Sequence, residues 1–408
     1  MPPVRGRRHR GIAAVIMLVL FVWPGTGLSA AAVSYALGGN LKAIGSLSWP
    51  EADTYPPPGS RSHFLDGTGE VRFTGLLYLP SQVTFDIQYQ AVVTGGDTQQ
   101  ATAEAPVADG AFPGIIAGTA PISDSRRLLN LTWVLRDDAD MLAYHRIDRL
   151  VIHVERPWGS ILLGRQALTW GNGFFFNPMD LFNPFAPLAV DKDYKTGDDM
   201  AVVTVLLPRD ADLQMLVVPR RNPATGDVTQ DESSAAAKLH EFVGPLETDV
   251  MLARHYGETV AGGGLRGNLK DAAWRINGTL TFLDQSRTHT MAAAVVANID
   301  YSWVWSGKNW YGAVETYYNG IGGANAAEAA VDPDVIRRID RGELFTVGRL
   351  YAGVIARMEW SPLVNLQVSV LTNLDDGSGL VQPQWTWDVA ENVQLLAGAL
   401  WAFGRDNT

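Results

Sequence analysis

Two stretches of this sequence carry residue types at spacings that could do chemistry. Gly262-Gly263-Gly264-Leu265-Arg266-Gly267 fits G-x-G-x-x-G, in which backbone amides at a helix N-terminus hold a pyrophosphate. That use needs a helix directly after the glycines. Asn268-Leu-Lys-Asp271 and the strand-like Trp274 to Phe282 follow instead, so the run reads as part of a hairpin. Asp191, Asp193, Asp198 and Asp199 crowd one stretch as in a calcium loop, but the D-x-[DN]-x-[DN]-G register and the terminal glutamate are missing. His63, His145, His153, His240, His255 and His289 stand singly, without metal-ligand spacing, and neither H-E-x-x-H nor G-x-S-x-G occurs. The expectation is a chain without cofactor, metal or catalytic centre.

A second kind of pattern is more informative. Arg149, His153 and Glu155 alternate with Leu150, Ile152 and Val154; Arg349, Arg357 and Glu359 alternate with Leu350, Ala352, Val354, Ala356, Met358 and Trp360. A β-strand sends successive side chains to opposite faces, so each stretch has one charged and one apolar face. If the apolar face meets lipid, the charged row must turn away, because a charge there costs ~2–4 kcal/mol at the bilayer midplane. Arg149, His153, Glu155, Arg165, Arg349, Arg357 and Glu359 are therefore the lumen-lining candidates. Such rows either steer solutes through a water-filled pore or brace the wall as ion-pair ladders.

The elements that would position these rows are short alternating strands. Val83, Phe85, Ile87, Tyr89 and Ala91 oppose Thr84, Asp86, Gln88 and Gln90; Val364, Leu366, Val368 and Val370 oppose Asn365, Gln367 and Ser369. Further runs lie near 41–49, 70–79, 127–137, 160–170, 198–207, 211–219, 246–256, 258–267, 272–283, 291–305, 309–319, 380–389 and 392–403. Trp49, Trp170, Trp303, Trp305, Trp310, Tyr317, Tyr318, Trp360, Trp385, Trp387 and Trp401 sit near strand ends, as the aromatic girdles of a membrane barrel do. The fold expected is all-β: a transmembrane antiparallel up-and-down β-barrel of about 16 strands (roughly 14–18), with long loops near 50–69, 95–126, 171–197 and 320–345. Three strands between the loops at 95–126 and 171–197 would put them on opposite sides. Long loops gather on one side, so either one of them is periplasmic or a strand is missing, with 114–119 the candidate.

The N-terminus and composition agree with export to the cell outer membrane. Arg5, Arg7, Arg8 and Arg10 precede an apolar run, Gly11 to Trp23, and a small-residue stretch to Ala32. That is the anatomy of a signal peptide over residues 1–32, leaving 33–408 as one barrel domain. The chain has no cysteine and a net charge of −11, and losing four arginines makes it more acidic still. An acidic chain argues against nucleic acid as a partner. It also carries 41 Gly, 13 Trp, 12 Tyr and 14 Phe but no helical span, as suits a barrel in a lipid bilayer.

Residues 164–187, GRQALTWGNGFFFNPMDLFNPFAP, fit neither strand nor helix beyond Thr169. Pro178, Pro184 and Pro187 remove backbone donors and block both. The aromatic mass calls for burial, so the segment is expected to fold into the barrel and narrow it. Phe174, Phe175, Phe176, Asp180, Phe182, Phe185, Asp191 and Asp193 are the constriction-loop candidates.

Arg146-Ile-Asp-Arg149, Gly164-Arg165-Gln166, Trp170-Gly171 and Asn177-Pro-Met-Asp-Leu-Phe-Asn-Pro184 give the region 146–199 a resemblance to porin-like outer-membrane barrels of Gram-negative bacteria, near alginate-export-type and related uncharacterised barrel families. The resemblance implies a channel or export conduit for small solutes or polymer, with Arg149, Arg165, Arg349 and Arg357 placed to pass an anionic polymer. Glu155, Glu359 and the acidic balance depart from that substrate. Two alternatives remain open: a structural barrel serving as sheath or anchor for a periplasmic or surface protein partner, such as an electron-transfer protein, and a lipid-modifying barrel enzyme.

Overall fold

A computed structural model describes residues 12–26, 33–49, 61–104, 123–187, 194–284 and 290–404. The basic head at 5–10, the cleavage stretch ending at Ala32, the segment 114–119, Asp191 and Asp193 lie outside these residues. The strands are β1 (Ile12–Thr26), β2 (Ser34–Ser48), β3 (Phe64–Leu79), β4 (Val83–Gly96), β5 (Thr132–Asp137), β6 (Met141–Arg156) and β7 (Gly159–Gln166). They continue as β8 (Asp198–Leu206), β9 (Asp212–Val218), β10 (Ser234–Val243), β11 (Leu246–His255), β12 (Glu258–Leu269) and β13 (Ala272–Phe282). The last are β14 (Met291–Trp305), β15 (Lys308–Asn319), β16 (Leu350–Ser361), β17 (Val364–Asn373), β18 (Gly379–Ala390) and β19 (Val393–Phe403). Three short helices, α1 (Asp97–Glu104), α2 (Ala326–Ala329) and α3 (Pro333–Asp340), lie in connections.

Every pairing between named strands is antiparallel and, β5 apart, each strand pairs with its neighbours in sequence. The result is an up-and-down β-barrel whose ring holds 18 strands, the upper end of the expected range. The apolar run 12–26 takes part in it: β1 pairs with β2 on one side and β19 on the other. The glycine run 262–267 lies within β12 and leads to the turn at 270–271, with no helix after it. Among the described residues no helix is long and apolar enough to cross a membrane.

Two expectations about strands change. Residues 234–243 form β10, which the sequence reading passed over because Ala235, Ala236 and Ala237 blur the contrast between faces. Residues 127–137 supply only β5, and β5 is not a stave of the ring. It pairs with the upper half of β6 beyond the end of β7, opposite the edge of β6 taken by β4. Removing this false stave resolves the parity problem: the connections 97–140 and 167–197 leave the barrel at the same end.

That end, the loop rim, also carries 219–233, 283–290 and the helical connection 320–349. The opposite end, the turn rim, has tight connections at 80–82, 157–158, 207–211, 244–245, 270–271, 306–307, 362–363 and 391–392. Ser306 and Gly307, with φ of 51° and 68°, form the primed two-residue turn that matches strand twist.

The two faces of the wall differ in kind. Leu37, Leu41, Phe73, Leu77, Ile87, Ile152, Leu163, Leu252, Ile276 and Val354 are exposed on the outer face. Asn40, Lys42, Arg72, Gln90, Asn277, Asn298 and Glu315, which fall at alternating strand positions on the other face, are buried. Two expected girdle residues also belong inside. Trp170 is 2% exposed and Tyr317 is 7% exposed, because both pack against the segment described next.

Candidate functional site

The segment between β7 and β8 turns into the barrel. Gly171 allows the entry: its φ is +90°, and a Cβ there would lie 2.0 Å from Asn177 Oδ1. From that point the segment is held at two places.

The first anchor is aromatic. Phe175 and Phe176 pack with Val296, Tyr317, Tyr351 and Leu371, inward residues of β14 to β17, and Phe174 borders the same cluster. The Phe176 ring stacks on Tyr317 at 4.2 Å between centroids. At its centre is Glu315 on β15, 1% exposed. Its carboxylate accepts the backbone N–H groups of Phe174, Phe175 and Phe176 at 2.6, 2.9 and 2.9 Å. Asn298 Nδ2 donates to Glu315 at 3.2 Å and to the Asn172 carbonyl at 3.0 Å. Three successive amides on one carboxylate make a compact site for a negative charge, filled here by the chain itself.

The second anchor lies across β8 to β12. Trp170, Met179 and Phe182 pack with Met200, Val202, Leu216, Val218, Ala236, Met251, Ala253 and Val260. Trp170 Nε1 donates to Gln214 Oε1 at 2.8 Å. Beneath this cluster Lys195 Nζ meets Asp180 Oδ1 at 2.5 Å, with both side chains buried. Burial pushes the Asp180 carboxyl up to about 6, with the Lys195 charge pulling the other way. Burial likewise lowers Lys195, opposed by Asp180. Desolvation disfavours both charges, which is the usual condition of a buried pair.

The segment returns along a third wall. The Tyr194 ring lies 3.9 Å from the Arg72 guanidinium carbon and 5.2 Å from Lys42 Nζ, and its hydroxyl accepts from Asn40 Nδ2 at 3.1 Å. Asp148 joins Arg72 at 3.1 Å and Arg149 at 2.7 Å. A register shift opposite Gln88 and Tyr89 leaves Asp148 as the extra residue of β6. Such a bulge re-aims side chains, and here it brings Asp148 and Arg149 together against β3. Arg149 also donates to the Lys195 carbonyl.

The lumen candidates thus separate. Arg149 braces the folded-in segment. Arg165 is 1% exposed and bonds Asp199 at 2.8 Å, Asp124 at 3.0 Å and the Leu129 carbonyl at 2.6 Å; its register partner is Leu150, not the Arg149 row. Burial alone would raise Asp124, but Arg127 and Arg165 outweigh it and hold the carboxyl below its ordinary range. His153 and Glu155 lie 3.8 Å apart near the turn rim. Arg357 lies over the Tyr311 ring, and Glu359 accepts from Asn309, also toward the turn rim. Arg349 sits at the loop rim, donating to the Gly322 carbonyl. Of the constriction candidates, Phe174, Phe175 and Phe176 lie in the first anchor and Asp180 and Phe182 in the second, and Phe185 is half-buried.

A layer over the segment was not foreseen. The connection carrying α3 reaches across the loop rim, where Arg338 donates to Glu258 and Asp340 pairs with Arg126 at 2.6 Å. The His255 and Phe182 rings stand perpendicular at 5.6 Å between centroids, and His255 lies 3.6 Å from Glu343. Burial raises the Glu343 carboxyl, with Arg338 and Arg341 opposing.

No protein-family model matches the chain, and no curated protein matches it. Solved structures similar over nearly the whole length include a mutant Rh. blastica porin, at 10% identity, covering 97% of this chain and 100% of that one with a TM-score of 0.41. OccAB4 of Acinetobacter baumannii is similar at 8% identity over 98% of both chains, with a TM-score of 0.45.

Proposed function

We propose that the chain is an outer-membrane channel for small solutes; the run 12–26, expected as part of a leader, stands in the structure as the stave that joins β2 to β19. The observation that carries this reading is the inverted wall. Apolar side chains cover the outside of a paired sheet while ion pairs and amides fill the inside. Water does not support so large an exposed apolar surface, and a closed barrel is one of two structures whose backbone is satisfied in hydrocarbon. Short turns at one rim, and long loops at the other beside the short turns 256–257 and 374–378, fit a periplasmic and an extracellular end.

In this reading the segment 167–187 is the constriction, and the scattered lumenal charges leave the chain a passive conduit rather than an enzyme. Passage of a folded polymer would require Phe174 to Phe176 to leave their cluster, so small solutes are favoured. The test is outer-membrane fractionation with heat-modifiable gel migration, then planar-bilayer conductance. Ohmic conductance that rises severalfold on deletion of residues 174–187 is expected. Recovery in the soluble periplasm overturns the membrane reading; equal conductance in the deletion makes the segment a plug or docking site.

A further inference from the structure

Below the folded-in segment, the inner wall toward the turn rim is of a different composition. The segment packs on the upper ends of β15, β16 and β17, at Glu315, Tyr317, Tyr351 and Leu371. Lower on the same strands a cavity of 440 Å³ is bordered by the polar Ser302, Asn309, Tyr311, Arg357, Glu359 and Asn365 and by the apolar Trp303, Val304 and Trp310. That volume falls within the ~300–1,000 Å³ usual for small-molecule sites.

Strand register extends this cavity sideways. Tyr311 pairs with Arg357, Arg357 with Gln367 and Gln367 with Gln384; Asn365 pairs with Thr386 and Ser369 with Gln382. Gln367 Nε2 donates to Ser369 at 3.2 Å and to Gln384 at 3.4 Å. The row is thus carboxamides and hydroxyls beside one phenol ring, with one arginine and one glutamate whose charges offset. Elsewhere in the lumen Arg72, Arg149, Arg220, Arg275 and Lys195 are each paired with a carboxylate, so none of these five offers a bare positive charge to an anion.

We infer that this face, from Tyr311 across to Gln384, is a binding site for a neutral, hydroxyl-rich solute such as a short oligosaccharide. A carboxamide offers both donors and an acceptor, and so can meet hydroxyls that act as either. The phenol ring supplies the apolar face that a sugar ring packs on, and the guanidinium and carboxylate give bidentate bonds to adjacent hydroxyls. An anion would gain from Arg357 but lose against Glu359. A neutral solute uses both.

The inference rests on the channel reading, and one experiment separates the two. The full-length channel is studied in planar bilayers with a linear malto-oligosaccharide, and separately with an oligouronate of the same length, added on the turn-rim side. Saturable current block by the neutral sugar is expected at a concentration at least about tenfold below that of the uronate. Gln367→Ala with Gln384→Ala should raise the half-blocking concentration about fivefold or more, since each removes a hydrogen-bonding amide. Heat-modifiable migration checks that this pair folds. Gln384→Glu, nearly the same size, is the second arm and should weaken neutral block while shifting the reversal potential toward cations. Equal or tighter uronate block, or neutral block untouched by these substitutions, overturns the inference. Absence of any conductance overturns the channel reading itself.

Discussion

The two anchors of the folded-in segment solve the same problem by opposite means. At Glu315 a single buried carboxylate is satisfied by neutral donors, the amides of Phe174 to Phe176 and the Asn298 side chain. At Asp180 a buried carboxylate is satisfied mainly by a buried ammonium. The first arrangement concentrates several hydrogen bonds on one residue and has no counter-charge to lose. The second rests on two charges that both resist desolvation, so it is more sensitive to protons and more replaceable. A buried ion pair exchanged as a unit is often nearly neutral, whereas breaking it is not.

The largest effect is expected at the first anchor. Glu315→Ala strips the acceptor from three amides, and each buried donor left unmet costs ~1–3 kcal/mol. The segment should detach from β15, and conductance should rise nearly as far as in the deletion of 174–187. Unchanged conductance in a folded Glu315→Ala barrel would show that the phenylalanines alone suffice.

Next comes Lys195→Met, which leaves Asp180 buried without its partner and should lower stability by ~3 kcal/mol, the low end for a broken buried pair. Adding Asp180→Asn should recover most of that loss in denaturant unfolding. A double variant as unstable as the single one would mean that charge is not what matters there.

Gly353→Val tests the aromatic part of the first anchor. A Cβ at Gly353 would lie 2.4 Å from two atoms of the Phe175 ring. Overpacking of this kind costs ~1–3 kcal/mol, so the ring should be displaced and conductance should rise modestly. Normal conductance and stability would show that the ring can shift without loosening the segment.

The smallest effect is the pH dependence of the second anchor. The folded Asp180 carboxyl titrates at about 6 against an ordinary 3.8. Between those values the folded chain holds a proton that the unfolded chain has released. The contribution of this group is therefore full below pH 3.8 and fades as pH rises through about 6. The stability difference between the parent chain and Asp180→Asn, followed from about pH 4 to about pH 7, should move against the parent. A difference flat across that window would place the titration elsewhere.

The outer architecture was legible from alternation, because lipid-like exterior and polar interior repeat every two residues in stretches such as 83–91 and 349–360. Where a strand is apolar on both faces, alternation placed the strand but not what covers its inner face. Met200 to Leu206 and Leu213 to Val218 are near-continuous apolar runs, with an exposed outer face and a covered inner one. In the structure their inner face is covered by Trp170, Met179 and Phe182. Glu315 gave no such sign. In Val314-Glu315-Thr316 it looks like any inward polar position, and the amides it binds are some 140 residues away in sequence. The charge pairs of Asp148 were hidden by a bulge, which no two-residue period can reveal.

The unequal rims also bear on how the chain acquires its orientation. In a bilayer, hairpins led by two-residue turns such as Ser306-Gly307 have little to retract. The connection 320–349 carries Arg337, Arg338, Asp340, Arg341 and Glu343. Dragging such groups back through hydrocarbon costs on the order of 2.5–3.5 kcal/mol for each charge on insertion scales. Once the charged loops have crossed, the barrel has no low-barrier way to turn over. On the channel reading, its direction in the membrane is then fixed by the history of insertion, as a kinetic choice made once.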